Sequence, residues 1–148
     1  MMSGQLTGVV ASKFHWDLFI EWLDSPEFVQ ENELADFAVD KELCVKTMAA
    51  IADWYFFSIN DDIVGYSGIG RIGGSWQMPI YVRPEYRGSG YGRQMQESMI
   101  KRADADGRSP LTQRIRPDNA PMLSLSESTG FKRVRDSLDD MGYIELGR

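Results

Sequence analysis

Hydrophobic and polar positions change their period along the chain. Phe14, Leu18 and Trp22 lie at helical spacing, which predicts a helix that stops near Pro26. The next stretch, residues 32–54, has the pattern of one or two further helices. From there the period shortens towards two, which is typical of β-strands. The first third of the chain is therefore predicted to be mainly helical, and the part after it to form a sheet.

Residues 54–83 predict three antiparallel strands. Asn60–Asp62 supplies the first turn and Gly73–Gly74 the second. Pro79 lies inside the third of these strands. Because proline cannot donate a hydrogen bond to a neighbouring strand, it indicates an edge, a bulge or a place where pairing stops.

The remaining elements give the fold class. In chain order they are a strand at 6–12, a helix at 91–105, a strand at 111–116, a helix from 117–119 through 128, and strands at 131–138 and 141–146. The order β, helices, β-β-β, α, β, α, β-β predicts an α+β fold with a mixed sheet. Residues 1–148 contain no repeat or linker that would divide them, so we expect a single domain.

Composition limits the functional classes. The chain is 43% hydrophobic and 26% charged, as in soluble globular proteins. It has no apolar run of about 20 residues and no signal-peptide layout, which favours the cytoplasm. Cys44 and His15 are the only residues of their types, so an intramolecular disulfide is excluded, and we expect neither a metal site nor a Ser-His-Asp triad.

Charge is distributed unevenly along the chain. The net charge of −6 argues against a general nucleic-acid binder. Residues 1–62 carry twelve acidic and three basic side chains, whereas residues 63–148 carry ten acidic and thirteen basic ones. The acidic half could be only a solvated surface, or it could face a cationic ligand.

The stretch YVRPEYRGSGYGRQM contains glycines at alternate positions 88, 90 and 92. Glycine leaves backbone N–H groups uncovered, and at the start of a helix such groups form a site for phosphate oxygens. A P-loop would need Lys-Ser or Lys-Thr after Gly92, where the chain has Arg93 and Gln94. A dinucleotide fingerprint also fails, because positions 93 and 95 are not glycine. A glycine-rich turn without a ligand is the alternative.

The pattern R-x-x-G-x-G at 87–92, after the strand YVRPEY, resembles the acetyl-CoA loop of the GCN5-related N-acetyltransferases (GNAT). The stretch NAPMLSLSESTGF at 119–131 is similar to the second signature of that family. The resemblance covers about residues 6–146. It implies a twisted, mostly antiparallel sheet flanked by helices and splayed at a cofactor cleft. It also implies transfer of an acetyl group from acetyl-CoA to a primary amine, with CoA as product.

The resemblance also implies the cofactor-binding residues. The backbone of one strand would pair with pantetheine, the glycine loop would wrap the diphosphate, and Asn119 would approach the pantetheine arm. Asn119 could instead act only as a helix cap. The implied contacts are Ile80, Tyr81, Val82, Arg87, Gly88, Ser89, Gly90, Tyr91, Gly92, Arg93 and Asn119.

The catalytic residues of the family are replaced in this chain. Its usual tyrosine acid corresponds to Ser126, which could still hydrogen-bond to the sulfur. The usual glutamate base corresponds to Met78, beside Gln77. Tyr66, Tyr81 and Tyr143 are other candidates for the acid. These replacements leave open an alternative function, a GNAT-fold module that binds CoA or acts as a regulator without catalysis.

The resemblance gives the acidic half a meaning, because helices after the first strand commonly wall the acceptor side in this family. Such a wall would attract a cationic small-molecule or protein amine. The candidates for the wall are Asp17, Glu21, Asp24, Glu31, Glu33, Asp36 and Asp40. Nucleic-acid and membrane partners are not expected. The oligomeric state stays open, with a homodimer as one alternative.

Overall fold

The computed structural model describes residues 4–72 and 74–148. The helices are α1 (Lys13–Trp22), α2 (Pro26–Glu31), α3 (Lys41–Ile51), α4 (Tyr91–Ala105) and α5 (Ala120–Ser128). The strands are β1 (Thr7–Val10), β2 (Asp53–Ile59), β3 (Asp62–Ile72), β4 (Ser75–Gln77), β5 (Ile80–Val82), β6 (Leu111–Ile115), β7 (Lys132–Arg133) and β8 (Ile144–Gly147). The α+β order predicted from the sequence is confirmed.

The strands form a single mixed sheet. Their order is β1-β2-β3-β4-β6-β8-β7, and β5 pairs with β3 beside this path. The β4–β6 pair is parallel, whereas the other pairs are antiparallel. Helices cover both faces. Met95 and Met99 of α4 pack on one face, and Phe19 of α1 and Phe28 of α2 pack on the other.

The third predicted strand is interrupted at Pro79. On the β3 side the register continues across the interruption, and the Gly68 N–H donates to the Pro79 carbonyl at 3.1 Å. On the β6 side the last bond runs from the Met78 N–H to the Thr112 carbonyl at 3.0 Å. Beyond this bond β5 leaves β6, so Pro79 marks the point where the sheet splays. The turn predicted at Gly73–Gly74 lies partly outside the described residues, since Gly73 is not described.

Two sequence-based expectations need correction in the helical part. Pro26 does not only follow the first helix; it begins α2, with the Ser25 hydroxyl accepting from the Phe28 N–H. Proline suits this first position because its missing N–H would have no helical partner there. Residues 32–40, which were expected to be helical in part, form turns up to the Asp40 cap of α3.

The two final strands are shorter than predicted. Pairing of β7 with β8 is followed by a turn in which the Asp139 carboxylate accepts from the N–H groups of Met141 and Tyr143. A side chain that bonds to nearby backbone competes with strand pairing, so the ladder stops before this turn. Within the described ranges, no helix has both the length and the apolar character needed to span a membrane.

Candidate functional site

A cleft of about 720 Å³ opens where β5 and β6 separate. One side, here called the β5 lip, consists of Ile80–Val82, the loop at 87–90 and the start of α4. The other side, the β6 lip, consists of residues 113–116 together with Glu33 and Tyr143. The first turns of α5 form the floor. The glycine loop and the splayed strand therefore open into one space.

The backbone of β5 offers hydrogen-bonding groups to the cleft. The Arg83 N–H donates to the Val64 carbonyl of β3 at 2.8 Å. Because bonded pairs alternate along an antiparallel ladder, Tyr81 also turns its backbone towards β3, and Ile80 and Val82 turn theirs towards the cleft. Two of the three residues expected to pair with pantetheine are thus presented at this edge.

Tyr81 occupies the alternate position and serves the core. Its side chain packs with Phe28 and Tyr66 on the α1–α3 face of the sheet and is 8% exposed. Burial, with a contribution from Glu31, raises the pKa of Tyr81 to about 12. The phenol therefore stays protonated, and it is a weak acid.

The glycine loop leads directly into α4. Gly88 has φ +81° and Gly90 has φ +85°, a left-handed conformation that favours glycine. Gly90 caps α4, whose first bond runs from the Gln94 N–H to the Gly90 carbonyl at 3.2 Å. The N–H groups of residues 91–93 consequently have no partner inside the helix and lie at its positive end. This geometry suits phosphate oxygens.

The predicted loop residues differ in how they meet the cleft. Arg87, Gly88 and Gly92 line it, whereas Ser89, Gly90, Tyr91 and Arg93 lie behind them in the loop and the first helical turn. The Arg93 guanidinium pairs with the Glu97 carboxylate at 3.5 Å.

Arg87 lies along the β5 edge. Its Nε donates to the Val82 carbonyl at 2.8 Å, and its Nη1 is 2.8 Å from a carboxylate oxygen of Glu31 at the end of α2. The guanidinium carbon also lies 5.5 Å from the centre of the Tyr81 ring. The side chain thus connects the β5 lip to the end of a helix on the acceptor face.

Asn119 fits both of its expected roles. Its Oδ1 accepts from the Met122 N–H at 3.2 Å and caps α5. The same residue lines the cleft. Since the cap uses only the side-chain oxygen, the amide nitrogen could serve a ligand.

The position of Ser126 corrects the expectation that it faces the thioester. The residue is 0% exposed, and its hydroxyl donates to Gln113 Oε1 at 2.5 Å while accepting from Gln96 Nε2 at 3.1 Å. Gln113 Nε2 in turn donates to Gln96 Oε1 at 2.8 Å and to the Met78 carbonyl at 2.9 Å. Ser126 is one member of a buried polar network behind the cleft wall.

The residue in place of the usual base is also in the core. Met78 is 0% exposed and packs with Met95 and Met99 under α4. Gln77 lines the cleft, but an amide cannot accept the proton of an ammonium group. Neither residue is a base.

A charged cluster on the β6 lip was not predicted from the sequence. The Glu33 carboxylate accepts from Arg116 at 3.0 Å and from the Tyr143 hydroxyl. Hydrogen bonding to Glu33 raises the pKa of Tyr143, so the phenol stays protonated. The alternation of LTQRIR would place Arg114 and Arg116 on one face, but nothing in the sequence pairs them with distant residues.

Only part of the expected acidic wall borders the cleft. Of the seven candidates, Glu31 and Glu33 line it, and each is paired with an arginine. Asp17 and Asp24 pair with lysines, and Asp40 caps α3. The cleft is therefore mixed in charge, which corrects the expectation of a purely acidic wall.

The single histidine and the single cysteine lie in the core. His15 stacks on Phe56 at 4.8 Å and accepts from the Ser12 N–H at 3.0 Å, and burial lowers the pKa of the imidazole. Cys44 is 1% exposed, and burial raises the pKa of its thiol. Among the described residues, no cluster of three or more His, Cys, Asp or Glu side chains could hold a metal ion.

The sequence model of the Acetyltransferase (GNAT) family matches residues 16–131. The chain therefore belongs to this family, as the resemblance of its loop indicated. A comparison with curated proteins finds no significant match.

Solved structures share the fold. Ribosomal-protein-alanine N-acetyltransferase from Brucella melitensis is 21% identical, with a TM-score of 0.78 over 96% of this chain and 98% of that one. The protein yncA from Salmonella typhimurium, solved with its cofactor acetyl-CoA, is 20% identical, with a TM-score of 0.74 over 97% and 91%. PaiA N-acetyltransferase from Thermoplasma acidophilum, in complex with coenzyme A, is 16% identical, with a TM-score of 0.74 over 97% and 98%.

Proposed function

We propose that this protein is an acetyl-CoA-dependent N-acetyltransferase that acts on a primary amine. The observation that carries the proposal is the free edge of β5, which faces the same cleft as the glycine loop at the start of α4. Backbone groups of Ile80 and Val82 would pair with the pantetheine amides. The N–H groups at the start of α4 would hold the diphosphate, helped by Gly88 and Gly92. Structural neighbours solved with acetyl-CoA and CoA support this arrangement.

The reaction is direct transfer. The unprotonated amine nitrogen attacks the thioester carbonyl carbon, a C–N bond forms, and the C–S bond breaks. The acetyl group stays on nitrogen, and the sulfur leaves as the CoA thiolate, which takes up a proton. The main contribution of the protein is to hold the two reactants in line.

No acyl-enzyme is expected. The thiol of Cys44 is buried and holds its proton, and the hydroxyl of Ser126 is engaged with two glutamines. The carboxylates that could take the proton of the amine, Glu31 and Glu33, are bound to arginines. The amine therefore loses its proton to water. The single, buried cysteine is compatible with a cytoplasmic protein, where we expect the reaction to occur.

The acceptor is expected to carry a positive charge before it reacts. Glu33 lies on the β6 lip, where its carboxylate could attract an ammonium group. Arg114 and Arg116 on the same strand counterbalance it, so the cleft also tolerates a negative group on the acceptor. An amine that carries both charges would use both.

The test is thiol release from acetyl-CoA in the presence of a panel of amines. The panel should contain polyamines, amino acids, aminoglycosides and peptides with free N-termini. We expect release with at least one class, together with calorimetric binding of CoA. Absence of CoA binding would contradict the proposal.

A second function has a specific observation in its favour. Met78 and Ser126, which replace the usual base and acid, are both fully buried. A CoA-binding module without catalysis would bind CoA and release no thiol with any amine of the panel. Mass spectrometry of the amine after incubation separates the two functions, because only the enzyme yields an acetylated product.

A further inference from the structure

Arg87 occupies the part of the cleft that the cofactor would use. The Val82 carbonyl is one of the backbone groups that β5 turns towards the cleft, and Arg87 Nε already donates to it at 2.8 Å. A carbonyl oxygen can accept two hydrogen bonds, but here the long guanidinium side chain lies over the strand edge itself. A pantetheine amide cannot pair with Val82 until Arg87 has moved.

Glu31 holds Arg87 in this position. Its carboxylate lies 2.8 Å from Arg87 Nη1 and projects from the last residue of α2 on the acceptor face. The side chain of Arg87 is 44% exposed and that of Glu31 is 37% exposed, so the pair is held only in part by its surroundings. Such a pair is easily broken when a stronger partner for the arginine appears.

The diphosphate would be that stronger partner. Arg87 is the first residue of the glycine loop, and the N–H groups at the start of α4 follow it by four residues. An arginine fork binds phosphate oxygens through two parallel hydrogen bonds, more strongly than it binds a half-exposed carboxylate. Rotation about the side-chain bonds of Arg87 is enough to exchange one partner for the other.

We infer that Glu31 and Arg87 form a latch that closes the cofactor cleft and opens when the cofactor binds. In the closed state Arg87 bridges Val82 and Glu31 across the β5 lip. In the open state it turns to the diphosphate and leaves the strand edge to pantetheine. Glu31 therefore competes with the cofactor for Arg87 and weakens cofactor binding. The inference rests on the proposed function, because it requires that CoA binds in this cleft.

Glu33 provides a matched control. It lies two residues from Glu31, lines the same cleft and also carries a negative charge, but it pairs with Arg116 on the opposite lip. Removing either charge reduces general repulsion of the CoA phosphates by a similar amount. Only removal of the Glu31 charge also releases Arg87.

The test is calorimetric titration of CoA into five proteins: wild type, Glu31→Gln, Glu33→Gln, Arg87→Ala and the double variant Glu31→Gln/Arg87→Ala. Loss of one half-exposed ion pair should tighten binding by Glu31→Gln roughly two- to fivefold more than by Glu33→Gln. In the Arg87→Ala background this advantage should disappear, because Glu31 then has no arginine to hold. Thermal melting without ligand checks that each variant is folded.

Several results would overturn the latch. Glu31→Gln could bind CoA no more tightly than Glu33→Gln, or its advantage could persist without Arg87. Either result would leave the proposed function intact if the wild type still binds CoA. Failure of both the wild type and Glu31→Gln to bind CoA would overturn the latch and the proposed function together.

A crystal structure of the wild type with CoA gives an independent measurement. The latch predicts that Arg87 contacts the diphosphate and that the Val82 carbonyl accepts from the ligand. An Arg87 that still donates to Val82 and pairs with Glu31 while CoA is bound would contradict it.

Discussion

The two lips of the cleft are built in different ways. The β5 lip comes from one continuous stretch, residues 80–92, and offers mainly backbone groups: a strand edge and the start of a helix. The β6 lip combines side chains from three separate places, Glu33, Arg116 and Tyr143. Backbone geometry suits a ligand that never changes, such as a cofactor. Side chains can be exchanged one at a time, which suits an acceptor that differs between relatives.

The largest effect should come from the backbone of the β5 lip. Gly90→Val places a β-branched residue at φ +85°, which a side chain rarely adopts, and so displaces the N–H groups at the start of α4. Loss of two hydrogen bonds to phosphate, each about 1.5 kcal/mol, corresponds to roughly a hundredfold weaker binding of CoA. Calorimetry measures the change.

Gly107→Val is the control for this strain. Gly107 has φ +68° and open space around it, and it lies beyond the far end of α4. Its replacement should cost about the same 1–2 kcal/mol of stability and leave CoA affinity unchanged. Equal loss of CoA affinity in both variants would show that the strain acts through folding rather than at the cofactor site.

A change on the β6 lip should affect the acceptor instead. Removal of the Glu33 charge in Glu33→Gln should raise the KM for a cationic amine about tenfold, the loss of one charge-assisted hydrogen bond. CoA affinity should change far less. Steady-state kinetics with the amine that the panel identifies provides the measurement. A comparable loss of CoA affinity would contradict the division of roles between the lips.

Ser126→Ala should affect stability more than catalysis. It leaves Gln113 Oε1 without its donor inside the core, which costs roughly 1–3 kcal/mol. The rate per folded molecule should change less than about threefold, because the hydroxyl does not reach the cleft and no single barrier contribution is lost. Urea denaturation and kinetics on the same sample separate the two quantities.

Ser128→Ala is the matched variant on α5, since the Ser128 hydroxyl is exposed and donates only to the Leu125 carbonyl. It should alter neither stability nor rate. A Ser126→Ala protein of normal stability that has lost its activity would restore Ser126 as a catalytic residue.

The pH dependence of the rate should reflect the amine. Activity should rise with pH towards the pKa of the acceptor, because the cleft supplies no free base. His15 should add no step near pH 6.5, since its ring is buried against Phe56 and its pKa is lowered. A rate profile from pH 5.5 to 10 tests this expectation. A sharp limb near 6.5 would mean that an imidazole takes part.

The smallest effect concerns the turn that carries Tyr143 to the β6 lip. Hydrogen bonding to Arg114, aided by backbone N–H groups, lowers the pKa of Asp139 from 3.8 to about 2. The contribution of this group to stability is therefore complete above pH 3.8 and is lost as the pH falls through about 2. Urea midpoints of Asp139→Asn should consequently show less acid dependence in this window than the wild type. Asp140→Asn, at the neighbouring exposed position, should behave like the wild type.

The same contrast explains what the sequence could predict. The bounds of α4 and the glycine loop are local properties, so spacing alone located them. The splay at Pro79 was one of three readings of a proline within a strand, and only pairing with β6 decided among them. Glu33, Arg116 and Tyr143 are brought together by tertiary packing, which no local pattern encodes. Counting placed Ser126 at a signature position, but the direction of its side chain depends on Gln96 and Gln113.

The free edge of β5 also bears on how the protein survives without its ligand. An unpaired strand edge is a template on which a strand of another chain can assemble, and such contacts lead to aggregation. Pro79 has no N–H to offer there, and the Val82 carbonyl is covered by Arg87. The short length of β5, three residues, leaves little else to pair. The side chain that keeps the cofactor waiting thus also protects the empty protein against misassembly.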